Sequence, residues 1–183
     1  MSEEMLIRHC SPTLAGIKTA NMFTCCFENP EDIKRDIRKL NSMLVKNGLK
    51  ALPLRFSGNR ALIYVYRPTR LTEDLKNRTA GYILSGLGYE GKTTRQCIVH
   101  LKRRICRQAE FPHEIGLFLG YPPEDVRGFI ENHAEGYKFV GCWKVYGDEK
   151  SAKKQFARYK KCTDVYCSQW ANGKSIERLT VAV

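Results

Sequence analysis

One short run of residues commits this chain to a β-sheet. The run Ala61–Tyr66 (ALIYVY) is dense in strand-forming residues, which predicts a central strand. The segment Leu49–Phe56 precedes it across the turn Ser57-Gly58-Asn59-Arg60, and two strand patterns around such a turn predict a hairpin. Pro53 cannot donate a ladder hydrogen bond, so its strand should lie at an edge or carry a bulge.

Helical patterns are interspersed with strand patterns in no strict alternation. Asn29-Pro30-Glu31-Asp32 is typical of a helix start, and Asn47-Gly48 of a helix end. The remaining patterns predict helices over 2–9, 70–87, 92–108, 112–119, 123–132 and from Asp148 to Asn172-Gly173, and strands within 14–27, over 139–146 and over 176–183. With 183 residues and 43% hydrophobic content, the sequence predicts one α+β domain over 1–183, in which helices pack on a mixed sheet of about five strands.

The charge balance indicates an acidic partner. Lys and Arg number 31 against 19 Asp and Glu, which gives a net charge of +12. Such a surplus favours a nucleic acid, an acidic protein or an anionic surface as the partner. No apolar run reaches the roughly 18 residues of a membrane span. The N-terminal segment MSEEMLIR is acidic and has no long apolar core, so we expect a cytoplasmic protein without a membrane partner.

The eight cysteines are expected to be reduced. A cytoplasmic location disfavours disulfides, and the sequence contains no Cys-x-x-Cys pair, so neither a zinc knuckle nor a thioredoxin-type pair is indicated. Most of the thiols should be small buried apolar groups. Spacing leaves open a metal or redox cluster that the fold assembles from distant cysteines.

Two motifs each allow a functional and a structural interpretation. Gly86–Thr93 matches the phosphate-binding loop G-x-x-x-x-G-K-[ST], but the preceding segment is predicted helical rather than a strand. Leu87-Gly88-Tyr89 recurs as Leu119-Gly120-Tyr121, which favours two helix stops with a left-handed glycine. The segment 114–130 resembles a helix-turn-helix, yet Glu124, Asp125 and Glu131 would repel phosphates, which favours a packed helical corner instead.

Four stretches together resemble one known family. They are Ser11–Lys18, Arg60–Arg67, Phe111–Val126 and Gly141–Tyr146. The family consists of small proteins from anaerobic Gram-positive bacteria and is known only as a domain of unknown function. The resemblance implies a cytosolic protein, and it brings no catalytic residues. Relatives in this family tend to be encoded near flavodoxin-like and ferrous-iron-uptake proteins. The resemblance therefore implies a role in electron transfer or iron handling.

Three functions therefore remain open from the sequence. The first is a basic accessory protein in anaerobic redox or metal metabolism that docks an acidic partner such as a flavodoxin-like protein. The second is a nucleic-acid-binding module that uses the basic helices. The third is an enzyme whose Cys, His and Arg side chains only the fold assembles. The residues expected at a partner-binding surface are Lys92, Arg95, Lys102, Arg103 and Arg107.

A small-molecule site would draw on five further residues. Arginines would hold anionic groups, whereas a histidine and a cysteine would ligate a metal or cofactor. A continuous strand over Phe139–Tyr146 would place Cys142, Lys144 and Tyr146 on one face. The candidate ligand-binding residues are Arg60, Arg67, His113, Cys142 and Tyr146.

Overall fold

The structure, a computed structural model, describes residues 2–108 and 110–182. Helices and strands are both present, which confirms the α+β class. The described elements are α1 (Glu3–Leu14), β1 (Ala20–Cys26), α2 (Pro30–Leu44), β2 (Lys50–Ser57), β3 (Arg60–Tyr66), α3 (Pro68–Leu75), α4 (Arg78–Ser85), α5 (Thr94–Arg107), α6 (Ile115–Phe118), α7 (Pro123–Glu131), β4 (Phe139–Val140), β5 (Lys144–Val145), α8 (Glu149–Ala171) and α9 (Ile176–Leu179).

The chain forms two compact units. Unit 1 comprises Met1–Thr69 and Tyr159–Val183, and unit 2 comprises Arg70–Arg158. Helix α8 therefore contributes residues to both units. The expectation of one domain over residues 1–183 stays a prediction.

Unit 1 contains a three-stranded antiparallel sheet in the order β1-β3-β2. The predicted hairpin of β2 and β3 is confirmed, and β3 is central as its composition indicates. Strand β2 lies at the edge, and its register shifts between Pro53 and Arg55. Proline is tolerated there because an edge or bulge position needs no ladder donor.

Helices α1 and α2 pack against this sheet and bury its apolar face. Asn29 caps α2 as predicted, since its side chain accepts from the backbone N–H of Glu31. The stripe Ile33, Ile37, Leu40 and Leu44 is buried, which confirms the helical periodicity of this segment. The chain leaves the following 3-10 turn at Gly48, whose φ of 76° is in the left-handed region. Because that conformation favours glycine, the Asn47-Gly48 signal ends the helical segment as expected.

Unit 2 is mostly helical. The predicted helix over 70–87 is two helices, α3 and α4, because Asn77 interrupts it. The Asn77 side chain accepts from the backbone N–H groups of Thr79 and Ala80, which starts a new helix. Helix α5 begins at a reciprocal capping box of Thr93 and Gln96 and buries Cys97, Ile98, Leu101 and Ile105 as predicted.

The prediction of about five strands in one sheet is wrong. The described residues contain a three-stranded sheet and a separate two-stranded sheet, β4-β5. The segment 139–146 turns back at residues 141–143 to form this short hairpin, so it is not one strand. At the C-terminus, Ser175 accepts from the backbone N–H of Arg178 and starts α9. The predicted strand over 176–183 is therefore absent from residues 176–182, and Val183 lies outside the described residues.

Candidate functional site

The two predicted ligand-binding arginines lie in unit 1. Arg60 is exposed at the first residue of β3, whereas Arg67 is 2% exposed. The Arg67 guanidinium donates to four backbone carbonyls, those of Thr13 (2.8 Å), Leu14 (2.8 Å), Asn47 (3.1 Å) and Val181 (2.7 Å). With five N–H donors on the group, these bonds occupy most of its capacity. Arg67 therefore connects separate backbone segments through hydrogen bonds. Its predicted role in ligand binding stays a prediction.

The other three predicted ligand-binding residues lie in unit 2, and only one of them lines a cavity. His113 is exposed and packs edge-on against Phe129, with ring centroids 5.1 Å apart. Cys142 is exposed in the turn of the β4-β5 hairpin and is not part of the cavity wall. The predicted common face of Cys142, Lys144 and Tyr146 is thus wrong, because the turn breaks the strand alternation.

Tyr146 packs against α7. A Cβ at Gly128 would come within 2.5 Å of the Tyr146 ring, so glycine is what permits this close approach. The Tyr146 hydroxyl is buried without a hydrogen-bond partner among the described residues. Burial, with neighbouring Tyr137, Asp125 and Glu135, raises the pKa of Tyr146. The structure places Tyr146 in packing against α7 rather than in the cavity wall.

The cavity of unit 2 has a volume of about 800 Å³. It lies among the loop before α6, helices α6 and α7, and the β4-β5 hairpin. Its walls are mainly apolar and aromatic, with Tyr121 stacked on Trp143 at 4.8 Å between ring centroids. Ligand pockets commonly have this size and character. The residues that contribute aromatic or ionisable side chains are Glu110, Phe111, His113, Tyr121, Asp125, Phe129, His133, Trp143 and Lys144.

Asp125 anchors the hairpin that forms one wall of this cavity. The side chain is 4% exposed and accepts three hydrogen bonds, from the indole N–H of Trp143 (2.7 Å) and the backbone N–H groups of Tyr146 (2.8 Å) and Gly147 (2.7 Å). Hydrogen bonds from oriented dipoles compensate a buried carboxylate. From sequence, Asp125 is only a source of phosphate repulsion, because its donors lie 18 to 22 residues away and give no local signal.

Lys144 is a second residue that sequence reasoning did not select for this site. Its ammonium donates to the backbone carbonyl of Ala134 at 2.7 Å and lies 4.7 Å from the ring centre of Tyr137. His133 and Ala134 both have positive φ, 49° and 66°. Non-glycine residues adopt that conformation at a cost of about 1 kcal/mol or more, and here it directs the Ala134 carbonyl to Lys144.

The exposed side of α5 carries four of the five cations predicted for partner binding. Arg95, Lys102, Arg103 and Arg107 are exposed on the helix, and Lys92 is exposed just before its N-cap. We call these five residues the α5 basic face. None of the five forms an ion pair with a described residue. Helix α5 contains no acidic residue, and its remaining arginine, Arg104, donates to the buried carboxylate of Glu114. The α5 basic face is therefore not neutralised by its own helix.

Basic runs elsewhere in the chain are partly paired. In α8, Lys153 pairs with Glu149 at 2.5 Å and Lys160 with Asp164 at 3.1 Å. In α2, Lys34 and Arg35 pair with acids one turn earlier. Surface pairs of this kind contribute little stability, but they lower the positive potential of the helix that carries them. The α5 basic face differs from both helices in this respect.

The Gly86–Thr93 loop has the structure of a helix stop. It follows helix α4, so it lacks the strand that delivers a phosphate-binding loop. Gly88 and Gly120 have φ of 78° and 72°. In both copies the tyrosine N–H bonds to the carbonyl five residues earlier, Tyr89 to Leu84 and Tyr121 to Gly116. This is the longer of the two hydrogen bonds in the Schellman pattern, and the echo predicted from sequence is confirmed as two helix ends.

The helix-turn-helix resemblance is weak in the structure. Its first helix, α6, has four residues, and α7 buries Asp125, Val126 and Gly128. The exposed side of α7 carries Glu124 and Glu131, which would repel a phosphate backbone. The packed helical corner is the better description of this segment.

The cysteines do not assemble a metal site in the described part of the chain. None of the eight is in a disulfide, and residues 2–108 and 110–182 contain no group of three or more His, Cys, Asp or Glu side chains arranged for a metal ion. Burial raises the pKa of Cys10, Cys25 and Cys97. These three thiols are buried, whereas Cys26, Cys106 and Cys142 are exposed.

Of the helices in the described residues, none combines the length and the apolar character that a membrane crossing requires. The sequence model of a family described as "Protein of unknown function (DUF3793)" matches residues 6–180. No curated protein and no solved structure matches the chain.

Proposed function

Because the chain belongs to a family of unknown function, DUF3793, we propose a function from its own surface: it docks an acidic protein partner through the α5 basic face. The observation that carries this proposal is the set of five exposed cations on that face without a carboxylate partner among the described residues. Uncompensated charge of one sign steers association with a partner of the opposite sign.

The geometry of α5 concentrates these cations. At 100° per residue, Arg95, Lys102, Arg103 and Arg107 fall within about 140° of the helix circumference. The buried residues Cys97, Ile98, Leu101 and Ile105 occupy the opposite side. The face is therefore continuous enough for one partner to contact several cations together.

An apolar centre within this face favours a protein over a nucleic acid. Val99 is 44% exposed, and with exposed Cys106 it projects between the helix positions of Arg95, Lys102 and Arg103. Protein interfaces combine an apolar centre with a polar rim. A phosphate backbone would use the cations alone, so nucleic-acid binding is the second candidate.

The proposal extends to anaerobic redox or iron metabolism. A flavodoxin-like protein would be the acidic partner, and the redox group would belong to that partner. A cytoplasmic location is part of the same proposal. The enzyme alternative is less well supported, because Cys142 lies outside the cavity that His113 lines.

The test compares two charge-reversal variants of equal net charge. Arg95→Glu/Lys102→Glu/Arg103→Glu changes the α5 basic face, and Lys150→Glu/Lys154→Glu/Lys161→Glu changes exposed positions of α8. Titration calorimetry with a purified flavodoxin in low salt should show binding that weakens at least about tenfold in the α5 variant. The α8 variant should bind as the wild type does. Equal loss in both variants, or no binding of flavodoxin by the wild type, would contradict the proposal.

A single neutral substitution separates the two partner classes. Val99→Ser keeps every charge of α5 but removes the exposed apolar centre. It should weaken the flavodoxin complex and leave the affinity for a 20-base-pair duplex unchanged. If the wild type instead binds the duplex more tightly than flavodoxin, with a steep salt dependence, the nucleic-acid candidate replaces the proposal.

A further inference from the structure

We propose that the cavity of unit 2 is a binding site for a small planar aromatic molecule with one anionic group, a carboxylate or a phosphate, and that Lys144 is the partner of that anion. This inference concerns residues other than the α5 basic face and does not rest on the proposed function.

The size and walls of the cavity select a planar ring. Its volume of about 800 Å³ falls within the range of small-molecule sites. Tyr121 and Trp143 form one stacked pair in the wall, and His113 and Phe129 form an edge-on pair. Rings prefer offset-stacked or edge-on contacts with other rings. A flat aromatic ligand in this cavity would lie among ring walls and gain such contacts, whereas an aliphatic ligand would gain only area burial.

Lys144 supplies the positive charge. The ammonium has three N–H donors, and one of them is used on the Ala134 carbonyl at 2.7 Å. Lys144 forms no ion pair with any carboxylate in the described part of the chain. The faces of Tyr137 and Phe129, 4.7 Å and 5.8 Å from its nitrogen, hold the cation without neutralising it. Donor capacity and charge therefore remain for an anion.

Neither carboxylate of the cavity wall forms an ion pair with Lys144. Asp125 accepts three hydrogen bonds from Trp143, Tyr146 and Gly147, so its oxygens are engaged within the protein. Glu110 is exposed, and solvent screens it. An exposed histidine, His133, adds a further hydrogen-bonding group at the wall. An anion beside Lys144 is consequently better matched than a cation.

The positive-φ backbone of His133 and Ala134 fixes the position of the Lys144 ammonium. Helix α7 ends with the Ala134 N–H bonded to the Phe129 carbonyl at 2.9 Å. This arrangement turns the Ala134 carbonyl to Lys144, which joins the end of α7 to β5. Backbone strain of this kind clusters at functional sites because the surrounding structure maintains it.

The test uses three probes on the full chain, of which two share the ring system and two share the charge. The probes are 2-naphthoate, its neutral amide 2-naphthamide, and cyclohexanecarboxylate. Calorimetry should show saturable one-to-one binding of 2-naphthoate, and binding at least about tenfold weaker for each of the other two. Absence of saturable binding of 2-naphthoate, or equal affinity for naphthoate and naphthamide, would overturn the inference.

Variants of Lys144 locate the site. Lys144→Gln keeps a donor for the Ala134 carbonyl but removes the charge. It should therefore lower the affinity for 2-naphthoate about tenfold and leave the affinity for 2-naphthamide unchanged. Lys144→Arg should restore most of the affinity. A purely structural role of Lys144 would weaken both probes alike, and that result would overturn the inference.

Lys138→Gln is the matched control. Lys138 precedes the same hairpin and donates to the Gly147 carbonyl at 2.8 Å, but it does not line the cavity. Its substitution should leave the affinity for 2-naphthoate unchanged. An equal loss in Lys138→Gln and Lys144→Gln would mean that the probe responds to overall charge, which contradicts the assigned site.

Discussion

Arg67 in unit 1 and Asp125 in unit 2 are both buried ionisable groups held mainly by backbone dipoles. Four carbonyls surround the Arg67 guanidinium, whereas two backbone N–H groups and an indole N–H surround the Asp125 carboxylate. Arg67 reaches segments 20 to 114 residues away, but Asp125 reaches only 18 to 22 residues along the chain.

This difference in reach assigns the two residues different roles. Arg67 joins the end of α1, the segment after α2 and the segment after α9, so it closes the tertiary structure of unit 1. Asp125 fixes one hairpin on one helix and shapes the wall of the cavity. A buried charge that bonds to segments far away in sequence thus stabilises a unit as a whole. A buried charge that bonds only to nearby segments positions a local site.

Removal of Arg67 should have the largest effect. In Arg67→Met four carbonyls lose their donor, and at about 1 kcal/mol each the free energy of unfolding should fall by about 4 kcal/mol. Urea denaturation measures the loss, and hydrogen exchange should show faster exchange throughout unit 1. The exposed Arg60→Met is the control and should change stability by less than about 0.5 kcal/mol. Equal effects of the two substitutions would disprove the role assigned to Arg67.

Asp125→Asn should have a smaller and more local effect. The amide keeps one acceptor oxygen but turns an NH₂ group toward a donor, so we expect a loss of about 2 kcal/mol. Faster hydrogen exchange should be confined to the hairpin and the end of α7. Glu124→Gln, at the exposed neighbouring position, is the control. If hydrogen exchange in Asp125→Asn instead became faster throughout unit 2, the effect would be as broad as that expected for Arg67→Met in unit 1. Asp125 would then not be a local anchor.

The alkaline limit of unit 1 should depend on Tyr166, whose environment includes Arg67. Burial, with a smaller effect of Cys162, raises the pKa of Tyr166 to about 12, and Arg67 opposes this shift. The neutral phenol is therefore favoured in the folded state. Its contribution to stability is complete below the ordinary pKa near 10 and is lost as the pH rises from about 10 to about 12.

Urea denaturation from pH 9 to 11.5 measures this dependence. Tyr166→Phe has no titrating group at the position, so its stability should decline less steeply over that interval. The buried thiols titrate in both proteins, and the difference between the two curves isolates Tyr166. Parallel curves would show that the hydroxyl has no such linkage. Because Tyr166 is only half-buried, solvent screening should make this effect the smallest of the three.

Sequence patterns predicted the elements whose signals are local. Asn29-Pro30 at the start of α2, the hairpin with Pro53 at its edge, the buried stripe of α5 and the two Leu-Gly-Tyr helix stops are all confirmed. Each depends on a cap, a turn or a periodicity within about fifteen residues. The signal of Asn77 was present as well, because Asn is a frequent helix cap, but the apolar periodicity of 70–87 obscured it.

The site residues were harder to predict for a physical reason. The sequence predicts a small-molecule role for His113, which lines the cavity, but it predicts no such role for Asp125 or Lys144. Asp125 obtains its donors from a hairpin about twenty residues away, and Lys144 its acceptor from the end of α7. The sequence predicts that Arg67 binds a ligand, because a guanidinium pairs well with anionic groups. In the structure its N–H groups donate to backbone carbonyls instead.

The sequence by itself determined the α+β class, the hairpin of unit 1, the main helices and the cationic character of α5, since propensity, capping and charge are properties of neighbouring residues. Only the tertiary structure decided how the strands divide into two sheets, which cations have carboxylate partners and which polar groups are buried. Those outcomes depend on contacts between segments that are distant in sequence. When one segment removes a polar group from water, another segment must supply its hydrogen bonds.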